Sequence, residues 1–332
     1  VIIPTYNRAS LVPRAVESAL VQCKPGDEVI VVDDGSTDET QEALGPYDGF
    51  IRYMRVPNGG AGKARNIGIS KARTPLVAFL DSDDEWMPGK LELHRRLMAA
   101  RPDVLFSFSD FAHHRPDGSQ EGFCLRYWHQ DPRSWNDILG PGVPYSSMAT
   151  LPRGIDDLLV HVGDLYLNEM KASYVFTSTL FVRREQAGEA LRFAEDLTVY
   201  EDWECYGRIA RMGKGAFLDC ETTWQHAHDQ GRLTDADHLT TTEARLKVLH
   251  RVWGEDPEFL AEHRDAFERI IEEQHRARAR ALIVNGRTRE AREVLKIANG
   301  GPLHYRLLSW IPGTVARTLV TTRRVLRGRK AS

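Results

Sequence analysis

The chain has 332 residues, 42% of them hydrophobic and 27% charged, with a formal net charge of −3. That composition fits a globular protein built as one large domain with an appendage, or as two modest domains, and it supplies no global pull toward nucleic acid. Cys23, Cys124, Cys205 and Cys220 are scattered with no C-x-x-C pair, which argues against a zinc site or a disulfide framework and suits a reducing compartment.

No run approaches the ~18 apolar residues of a membrane span. No signal peptide is visible, and Val1 already lies in an apolar run, so a cytoplasmic protein with a trimmed natural start is expected. Residues 1–4 (VIIP) are predicted as a strand. Residues 10–21 are predicted as a helix with Leu11, Ala15, Val16, Ala19 and Leu20 on one side and Ser10 as its cap. A second strand is expected over 28–34 (EVIVVDD), then a short helix over 39–44 capped by Thr37 or Asp38. A third strand (50–56) precedes a helix over 61–71. A fourth strand (76–80, LVAFL) precedes a helix over 88–100, and a fifth strand follows over 104–110.

Strand and helix taking turns predicts an α/β fold, a mainly parallel sheet with helices on both faces. Ligands of such sheets lie beyond the carboxyl ends of the strands. Tyr6-Asn7, Asp33-Asp34, Asn58-Gly59 and the acidic run 81–85 all fall there.

Residues 111–172 are irregular and aromatic, with Phe111, Phe123, Tyr127, Trp128, Trp135 and Tyr145; a specificity-bearing loop and a plain connection are both open readings. A strand is expected over 174–182, a helix with acids at its start over 201–213, and a short strand over 215–219. From Leu239 the pattern is helical, and 279–298 reads as a helix hairpin turning at Asn285-Gly286, a packing appendage. Residues 303–332 carry Arg306, Arg317, Arg323, Arg324, Arg327, Arg329 and Lys330 and no acid, interleaved with apolar residues. Such a tail either lies on an anionic membrane, as a peripheral contact on its inner face, or packs on the body with a frayed end.

The chemistry concentrates in "FLDSDDEW". Four carboxylates in five positions repel one another unless solvated or bound to something positive. Hard divalent ions prefer carboxylate oxygens, and Mg²⁺ commonly takes one or two of them plus substrate phosphates. In an extended backbone Asp81 and Asp83 point the same way and Asp84 elsewhere, so Asp81-Ser82-Asp83 can present paired oxygens to one ion. The stretch "NGGAGKARNIGIS" is not a phosphate loop, because Pro57 and Ala64 stand where G-x-x-x-x-G-K-[ST] needs Gly and Ser or Thr. Its glycines still allow close backbone approach; Arg65 is favoured as a cation beside a diphosphate, and Lys63 as an exposed base.

Taken together, "VIIPTYNR", "VIVVDDGSTDET", "NGGAGKARNIGI", "FLDSDDEW" and "YEDWE", in that order, resemble the inverting family-2 glycosyltransferases of the GT-A (Rossmann-like) fold over about residues 1–230. The resemblance implies a metal-dependent hexosyltransferase. Its nucleotide-sugar site would draw on Pro4, Tyr6, Asp33, Asp34, Arg65, Asp81 and Ser82. Tyr6 would stack near the base, Asp34 would bond it (Asp33 is the alternative), and Arg65 would lie by the nucleotide. Asp83, helped by Asp81 or Asp84, would hold Mn²⁺ or Mg²⁺, and Asp202 would be the catalytic base. Similar enzymes carry a histidine after the short strand that follows the base helix. His228 is favoured over His226 for the metal, with Arg232 as a further phosphate contact. The expected organisation is a catalytic domain over 1–235, with a nucleotide-binding half (1–110) and an acceptor-binding half (111–235), and a helical region over 236–332. The expected partners are a nucleotide-sugar, UDP-linked by preference, and a saccharide or lipid-linked saccharide acceptor, with no nucleic acid. The alternatives are a sugar nucleotidyltransferase, against which the glycine-free "PTYNRASLVPR" argues, and a non-catalytic nucleotide-sugar binding module.

Overall fold

The computed structural model describes residues 1–115, 117–228, 236–298 and 302–319. The first hundred residues hold the predicted strands and helices, with one short strand, β5, that the periodicity does not predict: β1 (Ile2–Thr5), α1 (Val12–Leu20), β2 (Ile30–Asp33), α2 (Thr40–Leu44), β3 (Arg52–Arg55), α3 (Ala61–Lys71), β4 (Leu76–Ala78), β5 (Asp84–Trp86) and α4 (Lys90–Ala100). Strands β1, β2 and β3 pair in parallel, with Ile2 opposite Ile30 and Ile30 opposite Arg52. A parallel bridge between Ile2 and Phe79, with the Leu80 N–H on the Ile2 carbonyl at 3.0 Å, joins this layer to the strand-β4 segment.

The next elements are β6 (Val104–His114), β7 (Gln120–Glu121), α5 (Leu125–His129), α6 (Trp135–Leu139), β8 (Val143–Pro144), β9 (Leu159–Gly163), α7 (Tyr166–Lys171), β10 (Phe181–Arg183), α8 (Arg184–Ala187), α9 (Glu201–Met212) and β11 (Lys214–His226). Their sheet runs β4-β10-β6-β11-β9-β8, with β5 and β7 paired at its side. It is parallel between β6 and β11 and antiparallel where β10 meets β4 and β6 and where β9 meets β11. The three-stranded layer β1-β2-β3 is thus parallel, and the larger sheet is mixed. Val12, Ala15, Val16 and Ala19 of α1 pack against Val29, Val31, Leu80, Trp86 and Leu91 in the core.

Four local expectations change, the first being that the cap of α2 is Glu39, with no side-chain bond there, and not Thr37 or Asp38. The cap of α1 is Leu11, not Ser10, and no side chain bonds there; the Arg8 carbonyl accepts the Leu11 and Val12 N–H groups instead. The strand expected over 174–182 is confined to 181–183, because Thr177–Thr179 form a 3₁₀ turn whose hydroxyls bond locally and across to the acidic run. The strand expected over 215–219 extends through His226, held by β6, β9 and β5 together and broken by register shifts.

The chain divides into two compact units, residues 1–197 with 201–230, and residues 198–200 with 231–332. The second unit is helical: α10 (His238–Leu249), a π-turn (His250–Gly254), α11 (Pro257–Val284), α12 (Thr288–Ile297) and α13 (Leu303–Leu308). Asp237 caps α10 by accepting from the Leu239 and Thr240 N–H groups, and Asp256 caps α11 ahead of Pro257. The hairpin between α11 and α12 turns at Asn285-Gly286, where Gly286 takes φ +75°. Ala279, Leu282 and Ile283 meet Ala291, Val294 and Leu295 there in a core of their own. Among the described residues no helix is long and apolar enough to cross a membrane. The basic residues expected at 323–330 and the phosphate contact expected at Arg232 lie outside the described residues.

Candidate active site

The carboxyl ends of β1 and β2 are stapled by side chains. The Asn7 N–H donates to Ser36 Oγ at 2.9 Å, and Asn7 Oδ1 accepts the Thr37 N–H at 2.7 Å. Pro4 is buried within β1, opposite Val32, and Tyr6 is exposed beside the staple. Both aspartates that close β2 are buried. Asp33 accepts from the Ser36 N–H at 2.8 Å and from the Tyr53 hydroxyl at 2.6 Å. Asp34 accepts the Gly59 and Gly60 N–H groups at 2.8 and 2.7 Å, one on each oxygen. It therefore fixes the loop that opens α3, where Gly60 takes φ +91°. A cavity of about 160 Å³ lies alongside, lined by Asp33, Ser36, Thr37, Asp38, Gln41, Glu42 and Arg55.

The acidic run splits between two faces, as side chains of a strand do. Asp83 Oδ2 lies 2.8 Å from His228 Nε2, and Glu85 Oε2 lies 2.8 Å from His226 Nε2. Asp84, between them, is buried on the other side, where its carboxylate accepts from the Ser178 hydroxyl. The same Ser178 Oγ accepts the Asp81 N–H at 3.0 Å, and the Asp84 N–H closes the turn on the Asp81 carbonyl at 3.0 Å. Ser82 is buried in that turn. Arg14 of α1 donates to the Asp83 carbonyl at 3.0 Å, so the run is held from both sides.

Arg65 joins this run to α9. One nitrogen donates to Asp81 Oδ1 at 2.6 Å, another to Glu201 Oε1 at 2.9 Å, and the guanidinium lies 5.1 Å from the Phe193 ring centre. Burial raises the Asp81 pKa, with Asp83 and Asp202 adding to the rise and Arg65 opposing it. Burial, reinforced by Asp202, lifts Glu201 to about 7 against the pull of Arg65. Asp202 follows Glu201 in the first turn of α9, and its Oδ2 accepts from the hydroxyls of Thr177 at 3.3 Å and Tyr206 at 3.4 Å. Trp203 is core: it is buried, and its indole N–H donates to the Glu169 carbonyl at 2.8 Å.

The fold thus brings Arg65, Asp81 and the Glu201-Asp202 pair into one neighbourhood, and Asp83 into contact with His228. The Asp84 carboxylate turns to Ser178, Asp33 bonds Ser36 and Tyr53, and Asp34 bonds Gly59 and Gly60. Among the described residues no group of three or more His, Cys, Asp or Glu is arranged to hold a metal ion. Asp83 and His228 hydrogen-bond to each other at 2.8 Å, which brings together an oxygen and a nitrogen of the types that divalent ions take as ligands. Glu201 and the Thr177-Ser178 pair were not legible as partners of the site. The sequence shows Glu201 only as a helix-start acid, and Thr177-Ser178 only as the polar centre of an apolar run.

Acidic and basic groups gathered at the strand ends of an α/β sheet stand where such sheets bind their ligands. Residues 1–129 match the model of glycosyl transferase family 2. The chain is 31% identical over 219 residues to the succinoglycan biosynthesis protein ExoO of Rhizobium meliloti, covering 63% of this chain and 56% of that protein. It is 39% identical over 113 residues to an uncharacterized glycosyltransferase of Rickettsia felis, covering 33% of this chain and 19% of that one. The chain therefore spans between 19% and 56% of the length of these relatives. Among solved structures it resembles S. aureus TarS 1–349 in complex with UDP-GlcNAc, with a TM-score of 0.59 and 18% identity over 93% of this chain and 89% of that one. It also resembles the mannosyltransferase PcManGT of Pyrobaculum calidifontis in complex with GDP-Man and Mn²⁺, with a TM-score of 0.52 and 18% identity over 98% and 79% of the two chains.

Proposed function

We propose that this chain is a metal-dependent inverting glycosyltransferase. It moves a sugar from a nucleotide-sugar, UDP-linked by preference, to a hydroxyl of a saccharide or lipid-linked saccharide. The observation that carries the reading is the Asp81–Arg65–Glu201 bridge, which ties the acidic strand end to the helix that bears Asp202. Breaking a sugar–phosphate bond leaves growing negative charge on the diphosphate, and the incoming hydroxyl must lose a proton on the opposite face of the sugar. These tasks need distinct groups, far apart in sequence and close in space.

Asp83 and His228 are the residues that would hold Mn²⁺ or Mg²⁺. Such an ion supplies neutralising charge to the departing diphosphate. Arg65 contributes fixed positive charge on the same side. Asp202 takes the proton of the acceptor hydroxyl, its carboxylate oriented by Thr177 and Tyr206. Tyr6 supports the nucleobase, and Asp34, or Asp33, meets its edge. Asp84 supports the turn through Ser178 and stays out of the ion's reach. In this reading residues 1–235 act as the catalytic domain, with donor contacts in 1–110 and acceptor contacts in 111–235, and residues 236–332 form a helical region. Residues 303–319 also support peripheral attachment to an anionic membrane, because Leu303, Leu307, Trp310, Val315 and Leu319 are exposed beside Arg306 and Arg317.

The test is sugar release from a panel of nucleotide-sugars with Mn²⁺, with Mg²⁺ and with chelator. Metal-dependent turnover of one donor is expected. Turnover unchanged in chelator would remove the ion, and formation of nucleotide-sugar from sugar phosphate and nucleoside triphosphate would favour the nucleotidyltransferase alternative.

A further inference from the structure

Beyond the catalytic groups, the short helix α5 carries an aromatic surface that the donor chemistry does not use. Its attachment is built from polar groups of β6. Asp110 Oδ1 accepts the Leu125 N–H at 2.9 Å and the Phe111 N–H at 2.8 Å, and the Cys124 N–H donates to the Phe111 carbonyl at 3.0 Å. Trp128 then meets Phe111 edge-on at 6.2 Å and Phe176 edge-on at 5.8 Å, while Phe111 and Phe176 stack at 4.3 Å. The two phenylalanines are 2% and 7% exposed, and Trp128 is 40% exposed. Trp128 is the exposed member of the trio, and its indole presents surface to solvent from a buried aromatic footing. Tyr127 and Phe123 are exposed beside it, Phe123 at φ +52° with the Arg126 guanidinium 5.7 Å from its ring centre.

The footing is continuous with the proposed base. Phe176 is the chain neighbour of Thr177, whose hydroxyl donates to Asp202. A ring stacked on Trp128 would therefore rest on a side chain packed against Phe176, the residue before the one that bonds Asp202. We propose that Trp128 is the stacking platform of the acceptor subsite and binds the C–H face of a pyranose ring, with Tyr127 and Phe123 lining its edge. A pyranose shows slightly positive C–H groups on one face, which suit the negative face of an aromatic ring, and keeps its hydroxyls at the rim for polar partners. The acids Glu121, Glu221 and Asp131 stand in the same region as Arg126 and Arg133, so charge gives no preference for a polyanion. The inference rests on the glycosyltransferase reading and names where its acceptor sits.

The test uses the purified chain as wild type, Trp128→Ala, Trp128→Leu and Trp128→Phe. Each protein is titrated with UDP and Mn²⁺, and each is applied to an array of bacterial oligosaccharide fragments, with saturation-transfer NMR on the array hits. Wild type is expected to bind array saccharides with saturation concentrated on the C–H protons of one ring face. Trp128→Ala and Trp128→Leu should weaken that binding about tenfold, Trp128→Phe should retain it within about threefold, and UDP affinity should move less than about twofold in all. Should Trp128→Ala fail to fold, Trp128→Leu keeps apolar packing on Phe111 and Phe176 and carries the comparison. Full saccharide binding by the leucine variant overturns the platform, and so does a wild type that binds UDP but no saccharide. Loss of UDP binding in the wild type strikes at the donor reading instead, and the saccharide arm is read independently of it.

Discussion

Arg65 answers to two acids, and both are buried with it. Arg65→Met keeps most of the side-chain volume but leaves Asp81 and Glu201 without their partner, which should cost about 3–5 kcal/mol in urea unfolding. Asp202 is a different case. Its contacts to Thr177 and Tyr206 are long, so an amide replaces the carboxylate without collapse of the helix start. Asp202→Asn should lower sugar transfer by ~10²–10⁴-fold while UDP affinity stays within about twofold. Unchanged transfer would take the base role from it. At this scale the sequence was most legible for residues whose role is local. The D-x-D spacing and the polar strand ends could be read directly. The partnership of Arg65 with Glu201 could not, because it spans 136 positions and depends on how α3 and α9 pack.

Helix α3 shows why elements hold the site in place. A Cβ on Gly62 would lie 2.6 Å from the Ala194 carbonyl oxygen and 3.2 Å from Glu201 Cγ. The first neighbour is backbone and cannot swing aside, so Gly62→Ala should cost about 1–3 kcal/mol in thermal or urea unfolding. It should also reduce transfer, because Glu201 is displaced from Arg65. Helix α4 makes a prediction of its own through Lys90. This lysine is buried, donates to the Thr179 carbonyl and the Thr222 hydroxyl, and has its pKa lowered by burial to about 7. Between that value and the ordinary lysine range the unfolded chain binds the extra proton, so stability rises with pH. Below the folded value both states are protonated and this contribution is flat. The melting temperature should climb from about pH 7 to pH 9, and Lys90→Met should remove the climb. Elements with strong periodicity, such as α1 and β2, were legible because hydrophobic spacing decides them. The turn at 177–179 and the length of β11 were not, because hydroxyl bonds and neighbouring strands decide those.

At the scale of the whole molecule, the helical unit has a hydrophobic core of its own in addition to that of the α/β unit, and it leaves a basic and apolar row at 303–319. Because the net charge is only −3, attraction to anionic lipid is expected from a local basic stretch, residues 303–332, and not from the charge of the whole chain. The full chain should sediment with anionic liposomes at low salt, and less so at about 0.5 M salt, where screening is nearly complete within a few ångströms. Equal recovery in the supernatant with neutral and anionic lipid would count against attachment. The division into an α/β part and a helical part was legible in the change of period near residue 239. The mixed strand directions beyond β6 were not, since a strand's sequence does not state which neighbour it will choose.

The grip of Asp34 on two successive glycine amides has a consequence for anyone who mutates it. Asp34→Asn swaps one acceptor for a donor, so the loop ahead of α3 must loosen, and weaker nucleotide capture would follow even without any touch between that side chain and a base. Comparing UDP with inorganic pyrophosphate separates the two causes. A clasp that merely slackens weakens both ligands alike, whereas a lost handshake with uracil spares the one that has no ring.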